Sequence, residues 1–152
     1  MKSLRTEDGK SLRTASNKNR KWGEKRGEIM KILCYKELET YKSAFKYQQM
    51  VFDLTKGFPK EEMYSLTDQW RRSSRSIGAN VAEAWAKRKY IAHFVSKLTD
   101  ADGELQESKH WRHTAFSCKY ISSKQDSDLR KEEELIGSKI GGMIKNAESF
   151  CE

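Results

Sequence analysis

The chain has 152 residues with a single Pro, 36% hydrophobic and 34% charged residues, and a net charge of +8. That length suits one domain with enough chain to bury a core, and sparse β-branched residues with little period-two alternation exclude a sheet protein in favour of an all-α one. No apolar run approaches the roughly 18–20 residues that span a bilayer, and the basic N-terminus lacks the apolar stretch of a secretory signal.

Cys34, Cys118 and Cys151 make an odd count without motif spacing, so a disulfide framework is not expected and a reducing, cytoplasmic setting is. The charge is uneven. Residues 1–31 hold ten Lys/Arg against four Asp/Glu, a net +6, which leaves only +2 for residues 32–152. Within 69–89, Arg71, Arg72, Arg75, Lys87, Arg88 and Lys89 stand against Glu83 alone. A basic tail plus one basic patch favours polyanionic partners, nucleic acid before membrane.

Residues 1–31 are polar and poor in anything that packs. Lys2-Ser-Leu-Arg-Thr6 recurs as Lys10-Ser-Leu-Arg-Thr14. The segment is either a basic arm for nucleic acid or a disordered extension, and is set outside the fold, which is expected to occupy 32–152. A first helix is predicted from near Glu37 to Thr55, with Leu38, Tyr41, Phe45, Gln48 and Val51/Phe52 at helical spacing. Gly57 is expected to cap it, and Pro59 to open a second helix whose first turn holds Glu61 and Glu62. That helix is predicted to run to about Lys87.

A third helix is predicted over Tyr90–Tyr120 on Ile91, Phe94, Val95, Leu98, Ala101, Leu105, Phe116 and Tyr120, a stripe interrupted at Lys109, Arg112 and His113. Asp100, Asp102, Glu104 and Glu107 crowd its first half and are candidates to face the arginines of the second helix. Ser122–Ser127 is expected to be a polar linker. A last helix is predicted over Asp128–Phe150, weakened by Gly137, Gly141 and Gly142 and so dependent on packing. Four helices with short connections predict an antiparallel up-down-up-down four-helix bundle.

The second helix organises the chain. At about 100° per residue, Leu66, Trp70, Ile77, Val81, Ala84 and Trp85 fall within roughly 60° of one line and form its core stripe. Arg71 and Arg75 lie together beside that stripe, and Arg72 lies furthest outward. Gln69, Ser76 and Asn80 flank the opposite edge. Gly78 is expected to allow a close helix approach or a slight bend.

These segments carry a resemblance. Phe58-Pro59-x-Glu61, Leu66-x-x-Gln69-x-Arg71-Arg72-Ser73-Ser74, Ser76-Ile77-Gly78-Ala79-Asn80-Val81-Ala82-Glu83-Ala84, Phe94-Val95-Ser96-Lys97-Leu98, Glu104-x-x-Glu107-x-x-x-Trp111 and Gly142-Met143-Ile144 resemble the four-helix bundle protein family, also called the 23S rRNA intervening-sequence protein family. The resemblance covers about 35–152. It implies a ring-shaped homopentamer of four-helix subunits. It also implies a relative similar in fold, the accessory variability protein of diversity-generating retroelements, which binds nucleic acid and a reverse transcriptase. Members are often encoded within insertions in bacterial large-subunit rRNA genes. Arg112 and His113 stand where the family usually has apolar residues, and Ala147 where it usually has Pro.

Guanidinium groups make bidentate contacts to phosphate, so Arg71, Arg72 and Arg75 are the expected nucleic-acid-binding residues, with Lys87, Arg88 and Lys89 extending the patch. The alternative is that Arg71 and Arg75 pair with carboxylates of the third helix or a neighbouring subunit. Trp70 and Trp85 are expected to pack rather than stack on bases, and Asn80 and Glu83 to join a polar network. Glu107, His110 and His113 follow at i, i+3 and i+6, a spacing metals can use. Cys118 falls on another face and no other helix offers partners, so no metal or cofactor is expected. No phosphate loop, nucleophile elbow or metalloprotease motif is present. The chain is therefore expected to be a non-enzymatic oligomer binding RNA or an RNA–DNA hybrid. The alternative is a protein-interaction scaffold or reverse-transcriptase accessory subunit.

Overall fold

The computed structural model describes residues 32–151, so the basic segment 1–31 and its internal echo lie outside the described residues. The four long helices are α1 (Glu39–Thr55), α2 (Leu66–Ala86), α3 (Ile91–Ser117) and α4 (Ser123–Lys145), followed by a single turn, α5 (Ala147–Phe150). Short 3-10 turns occupy Tyr35–Glu37 and Lys60–Glu62, and no strand occurs among the described residues.

Each long helix packs on the next, and α4 closes back on α1. The cross-helix contacts run in opposite numerical order at every interface. Arg71 meets Thr55 while Gly78 faces Tyr41, and Lys97 pairs with Glu83 while Ser108 reaches Trp70. Arg112 meets Asp126 and Glu133 while Leu105 faces Gly137, and Lys46 pairs with Glu132 while Ser43 takes a bond from Lys139. Neighbours are therefore antiparallel, as expected of an up-down-up-down bundle.

The core seam follows a heptad. In α3 the buried positions are Phe94, Leu98, Ala101, Leu105, Ser108, Arg112 and Ala115, alternating steps of four and three. In α4 they are Asp126, Leu129, Glu133, Ile136, Ile140 and Met143, and Thr67, Trp70, Ser74, Ile77, Val81 and Ala84 do the same in α2. This is the packing of helices crossing at shallow angles with side chains set between those of the partner. The α3 stripe expected from apolar residues alone was broken at Arg112. The real seam runs through it, and Ile91 and Phe116, expected inside, are 45% and 36% exposed.

Polar residues at seam positions meet at one level of the bundle. The Arg112 Nε lies 2.9 Å from both carboxylate oxygens of Glu133, and Nη1 lies 2.6 Å from Asp126. Arg130 takes the other Asp126 oxygen at 3.0 Å. The Tyr47 hydroxyl donates to Glu133 at 2.8 Å and sits 3.0 Å from the Ser108 hydroxyl, which also accepts from the Trp70 indole at 3.1 Å. One layer thus joins all four helices, including the diagonal pair α1 and α3. Burial, with the Glu133 charge, pushes the Tyr47 phenol far above its ordinary value. Burial likewise drives the Glu133 carboxyl upward, while Tyr47 and Arg112 pull it back. Burial works against the Arg112 charge, but Asp126 and Glu133 outweigh it and hold the guanidinium above its usual value. Arg112 thus occupies a core position as a satisfied ion pair, and the neighbouring His113 is exposed.

Several boundaries differ from expectation for local reasons. Pro59 does not open α2, because the chain first makes the 3-10 turn at Lys60–Glu62. The Glu62 carboxylate then accepts from the Ser65 hydroxyl at 2.7 Å and the Leu66 amide at 3.2 Å, which starts the helix at Leu66. Among the described residues no glycine adopts positive φ, so Gly57 is not a left-handed cap. That conformation falls to Lys119 (φ 61°) after α3, where the Tyr120 amide reaches Ala115 O at 2.9 Å. The expected linker at 122–127 is the first turn of α4. Ser122 and Gln125 form a reciprocal capping box with bonds of 3.1 and 2.8 Å. α4 stops at Asn146, whose side chain bonds back to Gly142 O, and the chain re-enters helix as α5 with Ala147 buried.

Candidate nucleic-acid interface

The core of α1 is built from Thr40, Ser43, Ala44, Tyr47, Val51 and Thr55 rather than from its largest apolar residues. Small side chains there let α2 approach closely. A Cβ on Gly78 would sit 3.5 Å from the Tyr41 ring and 3.8 Å from Ala44, which is ordinary contact. The consequence is that Phe45, expected in the core, is 46% exposed, and Phe52 is left on the rim of the α1–α2 groove.

Phe52 gathers cations. The Arg71 guanidinium lies 4.9 Å from its ring centre, that of Arg75 lies 5.4 Å away, and the Lys56 ammonium lies 4.5 Å away. Arg71 is further fixed by its Nε–H, which donates to the Thr55 hydroxyl at 2.8 Å. Thr55 can accept because its own proton goes to the Val51 carbonyl at 2.8 Å. Cation–π contacts at such a site are worth about 0.5–1 kcal/mol each. They do not neutralise the charge, and although Lys56 pairs with Asp53 at 3.4 Å, the two guanidinium groups on the ring favour an anion beside them.

Among the described residues, neither Arg71 nor Arg75 forms an ion pair with a carboxylate. The acids of α3 do not reach them. Lys97 takes Glu83 at 2.8 Å and Asp100 at 3.6 Å, and Glu107 accepts from the Trp111 indole at 3.2 Å. Hydrogen bonding to Lys97 holds the Glu83 carboxyl below its usual range. The arginines lie on the α1 side of α2, whereas Glu83 lies on the α3 side of α2 and Asp100 and Glu107 lie on α3 itself. Arg72 points outward with 74% side-chain exposure, as its wheel position predicts, but it is not the freest of the three. Its Nε lies 3.3 Å from Asp68, one turn earlier. An exposed i,i+4 pair of this kind is worth only about 0.3–0.5 kcal/mol.

Lys87, Arg88 and Lys89 do not join this cluster. From Arg75 to Lys87 is twelve residues along one helix, about 18 Å along and about 120° around the axis. There the Arg88 guanidinium covers Trp85 at 4.0 Å and donates to the Trp85 carbonyl at 2.8 Å, while Lys89 lies 5.7 Å from the Tyr90 ring. The single basic patch of the sequence is therefore two clusters. Trp70 is fully buried, and Asn80 bonds the Ser76 carbonyl of its own helix rather than reaching outward. His110 packs on Trp111, and no group of three or more His, Cys, Asp or Glu among the described residues is arranged to hold a metal.

Phe52 is the site residue that sequence patterning misplaces, because an aromatic at helical spacing counts as core. The seam of α1 instead runs through Ser43, Ala44, Tyr47 and Val51, so Phe52, one position past Val51, falls beside it.

Comparison with known proteins agrees with this architecture. A crystal structure of a protein of unknown function from the S23 ribosomal protein family of Bacteroides thetaiotaomicron superposes with a TM-score of 0.64 at 25% identity, covering 70% of this chain and 96% of that one. Comparison with curated proteins gives no match. The family profile described as 23S rRNA-intervening sequence protein matches residues 36–142, and the chain belongs to that family.

Proposed function

We propose that the protein is a non-enzymatic nucleic-acid-binding oligomer that prefers RNA and contacts phosphates through Arg71 and Arg75. The carrying observation is that these two guanidinium groups lie side by side on Phe52 with no carboxylate partner among the described residues. A fixed, unneutralised pair of guanidinium groups is suited to backbone phosphates and carries no base readout of its own. Arg72 contributes by exchanging Asp68 for phosphate. Lys87, Arg88 and Lys89 form a second contact on another face. Repeated around a ring-shaped homopentamer, as the family resemblance implies, one small cluster per subunit becomes an extended positive surface. The family's description, which ties it to an intervening sequence of 23S rRNA, supports an RNA-related role. Free cysteines at Cys34, Cys118 and Cys151 suit a cytoplasmic setting, and among the described residues no helix is long and apolar enough to cross a membrane.

The test is purification from the native host with and without nuclease, followed by sequencing of bound nucleic acid and measurement of assembly mass. RNA should accompany the wild-type protein and be lost from the Arg71→Ala/Arg75→Ala variant at unchanged mass. RNA retained by the variant would reject the assignment, and a changed mass would make the arginines structural. A second reading, a protein scaffold such as a reverse-transcriptase accessory subunit, draws on Met63 and Tyr64, 49% and 89% exposed at the α1–α2 connection. Capture of a reverse transcriptase without RNA would favour it.

A further inference from the structure

The arginine cluster is one end of a longer feature. Tyr41, Phe45 and Phe52 lie outside the heptad seam of α1. At 100° per residue they fall within about 40° of one line, with Gln48 filling the gap between them, and they extend about 16 Å along the helix. The Tyr41 and Phe45 rings stack at 6.1 Å and 25°, and Tyr35 continues the strip with its ring edge-on to Tyr41 at 4.8 Å. A groove of about 720 Å³ runs over Tyr35, Tyr41 and Phe45, with Lys36, Lys42 and Lys46 as its other walls. At the far end Phe52 carries Lys56, Arg71 and Arg75. Aromatic faces thus alternate with cations along one side of the molecule.

Exposed Glu37 shares the turn of Tyr35 and Lys36, and three further carboxylates on this side are engaged with its lysines. Glu39 pairs with Lys42, Glu132 with Lys46 and Asp53 with Lys56. The pairs Glu39–Lys42 and Asp53–Lys56 are exposed on both partners, a kind of pair worth little, so phosphate can take the acid's place. Charge also selects the occupant. Residues 1–31 carry +6 and the bundle of a second copy, residues 32–152, carries +2, so neither brings a compensating negative charge. A polyanion brings the opposite one.

We infer that this strip is a stacking platform for single-stranded nucleic acid, an inference that rests on the nucleic-acid reading given above. Bases lie on Tyr35, Tyr41 and Phe45, and the phosphates run between the lysines and the arginines. Base–aromatic stacking is tolerant of sequence, because every base has a π-face. A duplex keeps its bases paired and stacked, so it can use the cations but not the rings. The strip therefore confers a preference for single strands over duplexes.

The experiment titrates the full chain with labelled oligouridylate and with an RNA duplex of equal phosphate number, reading anisotropy, for the wild type, Phe45→Ala, Phe45→Tyr and Arg71→Ala/Arg75→Ala. Wild type should prefer the single strand. Phe45→Ala should weaken single-strand binding about five-fold or more, leave the duplex unchanged, and be rescued by Phe45→Tyr at constant assembly mass. Equal effects on both ligands, or none on either, overturn the platform. A changed assembly mass in Phe45→Ala also overturns it, because the strip is then a contact between copies. Binding that depends on Arg71 and Arg75 but not on Phe45 overturns the platform alone. If wild type binds neither ligand, the platform and the proposed function fall together.

Discussion

Replacing Arg112 by Met removes the one cation that both Glu133 and Asp126 face inside the bundle. Glu133 is 1% exposed and keeps only the Tyr47 hydroxyl as a donor, while Asp126 keeps Arg130. Breaking a buried pair by deleting one partner costs about 3–5 kcal/mol, because the remaining charge is left uncompensated. Domains of this size are stable by about 5–15 kcal/mol in total, so the variant should lose about a fifth or more of its stability. In the double variant Arg112→Met/Glu133→Met both charges go and the volume is kept, so most of the loss should return, with a coupling of about 2 kcal/mol or more. The sign of the pH dependence follows. Without Arg112, the Glu133 carboxyl is raised above its unfolded value by burial, so the folded state binds the proton more tightly. The penalty of Arg112→Met is then largest above neutrality and shrinks as pH falls towards 5. Urea unfolding at fixed protomer concentration, with unchanged m-value, is the assay. A loss under about 1 kcal/mol for the single variant, or a double variant no better than the sum of its parts, would refute the view that this layer acts as a unit.

Three smaller changes test the ends of the helices. Lys119→Gly relieves a left-handed residue (φ 61°) and should stabilise by about 0.5–1 kcal/mol in thermal unfolding; destabilisation would mean that the lysine side chain holds the turn. Ser122→Ala removes the α4 capping box and should cost about 1 kcal/mol, with loss of protection of the first-turn amides in hydrogen exchange. Hydrogen bonds from the Ser65 hydroxyl and the Leu66 amide hold the Glu62 carboxyl below its usual range. Its contribution is therefore present above the ordinary carboxylate pKa and is lost as pH falls through the depressed one. Glu62→Gln should accordingly be less stable than wild type at pH 7 and converge with it under acid conditions.

The bundle was legible because periodic apolar residues in 66–85 and 94–105 dominate their surroundings, and Trp70, Ile77, Val81 and Ala84 are buried as the wheel places them. Where reading by hydrophobicity failed, a polar residue occupied a seam position. Ser108, Arg112, Asp126 and Glu133 keep the four-three spacing, but each is unremarkable alone; only their convergence at one level makes them core. Ser122-x-x-Gln125 was readable as a cap and was masked by the polar run around it. Phe45 and Phe52 mislead in the opposite sense, since size and apolarity say core while the α1 seam runs through Ser43, Ala44, Tyr47 and Val51 beside them. The arginine cluster was found by its charge. Which arginines lack acids was not readable, because that depends on which neighbour each side of α2 meets.

The most direct test of phosphate contact by Arg71 and Arg75 is the salt dependence of single-stranded RNA binding by wild type and by Arg71→Ala/Arg75→Ala. Each phosphate contact contributes about 0.7 to the slope of log K against log salt for single strands. The double variant should therefore show a slope shallower by about 1.4 at unchanged assembly mass. An unchanged slope would contradict the assignment and leave the two arginines as part of the α1–α2 packing alone.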